Sequence, residues 1–273
     1  HVHLERMRSL ETIAAAKAEL VEELTADGVA VLNADDRLVM EMAHRTPARV
    51  VLYGLTARAH VWCEDVEPRG LEGVRFTLHL DGWQRRVSLA TPGQHLVAAA
   101  LAAVAVAREL GLGCEEIVAG LEGLRSEARL VTRPGPAGST ILDDSYNASP
   151  VSVLASLDLL ASIPGRHVAV LGDMKELGSF EQRGHEMVGD RAARCCDVLV
   201  VVGEKAAMAG RTALGAGLDP ANVLFARDNG EAVRWLLPRL AAGDHVLVKG
   251  SRSMRMEEIV AALGAGEREV GPA

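Results

Sequence analysis

The runs HVAVLG (167–172) and VLVVVG (198–203) decide the fold. Each is a short, nearly continuous row of aliphatic residues closed by a glycine. A strand with one face in water alternates apolar and polar residues, whereas a strand covered on both faces by crossover helices is apolar throughout. Working outward, STILDDSY (139–146) precedes these two runs, and NVLFA (222–226) and HVLVKG (245–250) follow them. Helical patterns fill the gaps, over 150–163, 180–194, 205–216 and 229–240, with a last one at 253–263. This alternation predicts a doubly wound α/β domain built on a parallel sheet. Ligands of such sheets gather at the carboxyl ends of the strands. The positions to weigh are therefore Asp143, Asp144, Gly172, Asp173, Gly203 and 249–252.

The first half of the chain reads differently. A helix over 9–25 is followed by GVAVLN (28–33), a helix near 36–45 and RVVLYG (49–54), which is a βαβ rhythm. Between 60 and 90 the pattern turns to strict alternation. VRFTLHL (74–80), the pair Asp81-Gly82 and WQRRVSL (83–89) predict an antiparallel hairpin. Helices over 94–111 and 114–123 complete a mixed sheet-and-helix domain. TRPGPAG (132–138) has the Pro and Gly density of a linker, so the domains are expected at 1–131 and 132–273.

Composition removes several function classes. The 273 residues carry a net charge of −8 and no Lys/Arg block, so nucleic acid and anionic lipid surfaces are not expected as partners. The four cysteines form no CxxC pair and fit reduced thiols in a cytoplasmic setting. No apolar run approaches the roughly 20 residues of a membrane span, and no secretory signal opens the chain. The opening HVHLERM reads as interior sequence, so the chain is expected to be part of a longer protein.

Four segments can carry chemistry. ILDDSYNASP (141–150) ends a strand in two carboxylates and then offers Ser145, Tyr146, Asn147 and Ser149 before a proline. It is either a capped turn with solvated acids or a nucleotide- or substrate-orienting loop. VLVKGSRS (246–253) places Lys249 and Arg252 around Gly250 and Ser251, which suits a carboxylate or phosphate, the alternative being a plain surface turn. No Gly-Lys-Ser/Thr phosphate loop is written anywhere in the chain. Lys17 stands in an alanine-rich helix of a chain with four lysines and twenty-five arginines, so its primary amine calls for a reason. His3 and His95 taken singly read as structural.

HLE (3–5), AKAEL (16–20), LNADD (32–36), PGQH (92–95), ARL (128–130), LDDSYNASPVSV (142–153), LGDMKELG (171–178) and VLVKGSRSMRMEEIV (246–260) occur in an order that resembles the Mur ligases. Within that family the wording is similar to the member that adds D-alanyl-D-alanine to UDP-N-acetylmuramoyl-tripeptide. The resemblance implies the last part of a central ATPase domain over 1–131 and a Rossmann-like C-terminal domain over 132–273. A phosphate loop and a first domain would lie upstream, and the chain alone is expected not to turn over ATP. It also implies that ATP phosphorylates the tripeptide carboxylate and that the amine of D-alanyl-D-alanine attacks the acyl phosphate.

The same resemblance implies residue roles. Lys17 would react with carbon dioxide to give a carbamate, an anionic oxygen ligand of Mg2+ that a guanidinium cannot become, and His3 would be a second ligand of that ion. Arg129 and Asp144 would meet the nucleotide, with His95, Tyr146 and Asn147 beside it. Asn147, Lys249, Ser251 and Arg252 would face the peptide substrates. Lys17, Arg129 and Asp144 form the expected catalytic set, and closure of the two domains is expected to hinge over 129–138. The chain departs from the family at Leu96 and Ala99, which stand where asparagines hold the adenine. That departure leaves a non-catalytic muropeptide- or nucleotide-binding module as the alternative. A monomer is expected.

Overall fold

The computed structural model describes residues 9–94, 96–124 and 130–264, which fall into two units, 9–124 and 130–264. His3, His95 and Arg129 lie outside the described residues.

In the first unit, helix α1 (Leu10–Glu22) starts at Ser9, whose Oγ accepts the Thr12 N–H at 3.1 Å. Such a cap satisfies one of the orphan donors of a helix start and contributes about 1 kcal/mol. Strand β1 (Val29–Asn33), helix α2 (Arg37–Met42) and strand β2 (Arg49–Gly54) form the expected βαβ unit, with β1 and β2 parallel. Asp36 caps α2 by accepting the Leu38 and Val39 N–H groups. Strands β3 (Val61–Pro68), β4 (Val74–Leu80) and β5 (Trp83–Leu89) extend the sheet in the order β1-β2-β3-β4-β5, the last two pairings antiparallel.

The hairpin register follows from its turn. Leu80 faces Trp83, and Asp81 and Gly82 both take positive φ, 51° and 78°, the backbone twist a two-residue hairpin needs. With that register fixed, Val74, Phe76, Leu78 and Leu80 all point to one face. They are buried with Val97, Leu101 and Val104 of helix α3 (Leu96–Glu109) and Ile117 and Leu121 of helix α4 (Cys114–Gly123). A second cluster on the βαβ side joins Ala18 and Val21 of α1 to Ala30, Leu32 and Met42.

The second unit holds a six-stranded sheet in the order β10-β9-β8-β11-β7-β6. Its strands are β6 (Val131–Pro134), β7 (Thr140–Asp143), β8 (Arg166–Gly172), β9 (Val198–Val202), β10 (Val223–Ala226) and β11 (Asp244–Lys249). Every pairing except β6 with β7 is parallel. Helices α5 (Pro150–Ala161), α6 (Glu181–Cys195), α7 (Ala206–Gly215), α8 (Asn229–Leu236) and α9 (Glu257–Gly264) cross between them. The five residues of β9 are all buried, the condition that its uninterrupted valine run predicts.

The segment expected to be a linker is instead edge strand β6. Val131–Pro134 pairs antiparallel with Thr140–Asp143, and Pro134, which has no N–H to give, is tolerated because an edge strand offers one side to solvent. Gly135–Ser139 makes the tight return, with Gly135 N–H donating to the Ser139 carbonyl at 2.8 Å and Gly138 at φ 77°. Residues 131–138 are thus built into the second unit. Two helices are also shorter than expected. Pro238 ends α8 at Leu236 in a 3-10 turn over Leu237–Arg239, and α9 starts only at Glu257, after a 3-10 turn over Arg252–Met254 that closes on Arg255 at φ 51°.

Candidate functional site

The chain enters the second sheet at its edge strand β6, turns back into β7, crosses to β8, runs outward through β9 and β10, and then returns to insert β11 between β8 and β7. The carboxyl end of β11 is therefore flanked by those of β7 and β8. Lys249 at that end lies between the loop after Asp143 and the loop after Gly172.

Lys249 is 3% exposed, and its Nζ donates to Asp144 Oδ2 at 2.5 Å and to the Asn147 carbonyl at 3.0 Å. Asp144 Oδ2 also accepts from Ser156 Oγ of α5 at 2.7 Å, and the Asp144 N–H donates to the Val248 carbonyl. One ammonium thus holds both ends of the 144–147 loop. Ser149 caps α5 in a reciprocal box with Ser152, followed by Pro150 at the first helical position. Next to it, Asp143 accepts from Ser145 Oγ at 2.6 Å and from Arg133 of β6 at 3.1 Å.

Ser251, 5% exposed, accepts the Lys175 N–H on its Oγ at 2.8 Å, and its own N–H donates to the Asp173 carbonyl at 3.0 Å. The Asp173 carboxylate is buried and accepts the Lys205 and Ala206 N–H groups at 3.0 and 2.8 Å, where α7 begins. The three loops after β8, β9 and β11 are thereby stitched by hydrogen bonds. Close approach is possible because Gly203, at φ 106°, faces Asp173, where a side chain would collide with the carboxylate.

Arg252 is an exposed cation of this edge, its side chain 64% accessible. It pairs with Glu257 at 3.2 Å and lies over the ring of Tyr146, 5.7 Å from the centroid, while Tyr146 is itself 61% exposed. Asn147 is exposed and its Oδ1 accepts the Ala148 N–H.

The structure thus brings Asp144, Tyr146, Asn147, Lys249, Ser251 and Arg252 to one edge. It divides them into an internally bonded, buried or half-buried set, Asp144, Lys249 and Ser251, and an exposed set, Tyr146, Asn147 and Arg252. Lys249 and Ser251, read from the sequence as facing a peptide, have their polar atoms engaged with Asp144, Asn147 and Lys175. Lys17 is exposed on α1 of the other unit. The sequence reading gave no role to His185, which belongs to the segment LGDMKELG...H...G of the resemblance, is 1% exposed and accepts the N–H of Met174 behind Ser251. Its only signal was its place in α6, following LGDMKELG. A cavity of about 470 Å³ in the first unit is lined by Arg49, His60, Asp81, Arg108 and Glu109, and no sequence-predicted site residue lines it.

Among the described residues no group of three His, Cys, Asp or Glu is placed to hold a metal ion. Of the two expected ligands only Lys17 is described, and it brings an oxygen donor only as a carbamate. The described residues do not assemble a magnesium site by themselves. No helix among them is long and apolar enough to cross a membrane.

A parallel sheet with an inserted β11, a bonded DDSYNASP loop and a VKGSRS turn defines a class that comparison with known proteins identifies. Residues 1–107 match the Mur ligase middle domain and residues 128–252 the Mur ligase glutamate ligase domain. The chain belongs to the Mur ligase family. Over 97% of its length it is 38% identical to the UDP-N-acetylmuramoyl-tripeptide–D-alanyl-D-alanine ligase of Mycobacterium tuberculosis, and over 96% it is 36% identical to the Escherichia coli enzyme of that name. A crystal structure of MurF from Acinetobacter baumannii superposes with a TM-score of 0.84 at 28% identity, covering 96% of this chain and 57% of that one. The fold is also that of a MurF ligase from Thermotoga maritima in complex with ADP, at a TM-score of 0.81 and 24% identity over 98% of this chain and 60% of that one. The chain spans 56% of the length of the M. tuberculosis relative, and 57% of the E. coli one.

Proposed function

We propose that this chain forms part of a ligase that joins D-alanyl-D-alanine to UDP-N-acetylmuramoyl-tripeptide with ATP, in peptidoglycan precursor synthesis. One observation carries the reading: Lys249 of VLVKGSRS binds Asp144 and Asn147 of LDDSYNASP, so two of the segments on which the resemblance rests meet in one place. The ADP held by the T. maritima ligase supports a nucleotide in the reaction.

The γ-phosphoryl group of ATP passes to the tripeptide carboxylate, leaving ADP and an acyl phosphate. The amine of D-alanyl-D-alanine attacks its carbonyl carbon, and the tetrahedral intermediate expels phosphate to leave the amide. Such a sequence asks the protein for positioning and for charge placed where anionic oxygens develop. Arg252 offers a planar fork to a substrate carboxylate, and Tyr146 supports its guanidinium. Asp144, Lys249 and Ser251 hold the loops that present them. His95 and Arg129 would lie on the nucleotide, with Tyr146 and Asn147 beside it. Lys17 as a carbamate, with His3, would hold the Mg2+ that neutralises phosphate oxygens. A cytoplasmic location is part of the proposal, because ATP and a UDP-linked substrate are cytoplasmic solutes.

Calorimetric titration of the chain tests this. Saturable heats are expected with D-alanyl-D-alanine and with UDP-N-acetylmuramoyl-tripeptide in the presence of ATP and magnesium; absence of heat with all of these together removes the proposal.

A further inference from the structure

We infer that His185 is a positioning residue of this site: as a neutral imidazole it fixes the 173–175 loop, and through Ser251 the turn that carries Arg252. The inference rests on the function proposed above.

His185 lies on the inner face of α6 and is 1% exposed. Its Nδ1 sits 2.8 Å from the Glu181 carbonyl, an acceptor only, so Nδ1 carries the proton. Its Nε2 sits 3.2 Å from the Met174 N–H, a donor only, so Nε2 carries none. The two contacts specify one tautomer of the uncharged ring. The next residue along, Lys175, gives its N–H to Ser251 Oγ, and the residue before, Asp173, takes the Ser251 N–H on its carbonyl. Three hydrogen bonds over 173–175 therefore join His185 to the residue preceding Arg252. Protonation at Nε2 would set two donors against each other and release the middle bond.

The charged groups facing the ring are Asp173 of the loop after β8, Glu181 of its own helix, and Lys205 of the turn after β9. Lys205 and Glu181 form an ion pair. Burial, the largest influence, holds the imidazole below its ordinary value, which keeps the bonding form present near neutrality.

Two isosteric halves of the ring separate this role from simple packing. In His185→Gln the side-chain carbonyl can reach the Nε2 position and accept from Met174. In His185→Asn only the Nδ1 position is reproduced. Amide hydrogen exchange of Met174 and Lys175, followed by NMR on the full chain, is expected to be within about twofold of the parent in His185→Gln and at least about tenfold faster in His185→Asn. In the parent, exchange corrected for its intrinsic pH dependence should accelerate as the solution is acidified past the depressed value of the ring, while in His185→Gln it should not. Equal protection in both variants, or a ring nitrogen spectrum showing the proton on Nε2, overturns the inference. Loss of D-alanyl-D-alanine heat in His185→Asn with retention in His185→Gln extends it to the site. If the parent gives no heat but the exchange pattern holds, the ligase reading fails and the positioning role stands.

Discussion

Lys249 Nζ and Asp144 Oδ2 meet at 2.5 Å across 105 residues of chain, with 3% and 14% of their side chains exposed. Removing one partner leaves the other charge without its counter-ion in a buried place, which costs about 3–5 kcal/mol. Lys249→Met and Asp144→Asn are each expected to lower the urea unfolding free energy by about that much, and the double variant by less than the sum. Additive losses would show that the pair is not coupled.

Gly203 and Gly217 separate backbone strain from collision. Both have φ above 100°, but a Cβ at 203 would lie 2.4 Å from Asp173 Oδ1, whereas at 217 it meets nothing. Gly217→Ala is expected to cost about 1–2 kcal/mol for the left-handed backbone alone. Gly203→Ala should cost at least about 1 kcal/mol more, because the displaced carboxylate is also the cap of α7. Chemical denaturation of both variants decides it, and equal losses would mean that Asp173 is not held as described.

The cysteines should differ in reactivity. Burial, with a smaller push from Asp35, raises the Cys63 thiol to about 11. The hydrogen bond to Cys195, with burial behind it, also raises Cys196, whereas a hydrogen bond from Cys196, aided by Arg191, lowers Cys195. Limited alkylation at pH 8 followed by peptide mass spectrometry should label Cys195 ahead of Cys63 and Cys196. Earlier labelling of Cys63 would contradict its burial beneath α3.

His185 should also leave a mark on stability. Its folded value lies below that of the unfolded chain, so on acidification the unfolded state takes up the proton first. Stability attributable to this residue therefore falls as pH drops from the ordinary value near 6.5 toward the depressed one, and levels off below it. Urea midpoints of the parent and His185→Gln should run together above about 6.5 and separate as the pH falls, the parent becoming the less stable; parallel curves would rule this out.

Much of this was legible in the sequence, and the reasons differ by element. The valine run of β9 can only be a strand covered on both faces, and the Asp81-Gly82 pair fixes the β4–β5 register, so both were readable locally. Pro134 misled because its strand role depends on lying at an edge, which is decided by the pairing with β7, where it faces Thr140. At the site, Asp144, Asn147, Lys249 and Arg252 followed from the rule that strand ends face ligands. That Lys249 is an internal tie and Arg252 an exposed cation could not be read, since both are cations in one turn and only the insertion of β11 between β7 and β8 separates them. His185 was hidden because a histidine in a helix gives no sign of what its second nitrogen will meet.

The account stands or falls most directly on the exposed cation beside Tyr146. Isothermal titration of D-alanyl-D-alanine into the parent chain, Arg252→Lys and Arg252→Ala, with ATP, magnesium and the tripeptide precursor present, should show affinity falling in that order, by roughly tenfold or more for alanine, as expected for loss of a bidentate carboxylate contact. Unchanged affinity in Arg252→Ala, with the fold intact by circular dichroism, would contradict it.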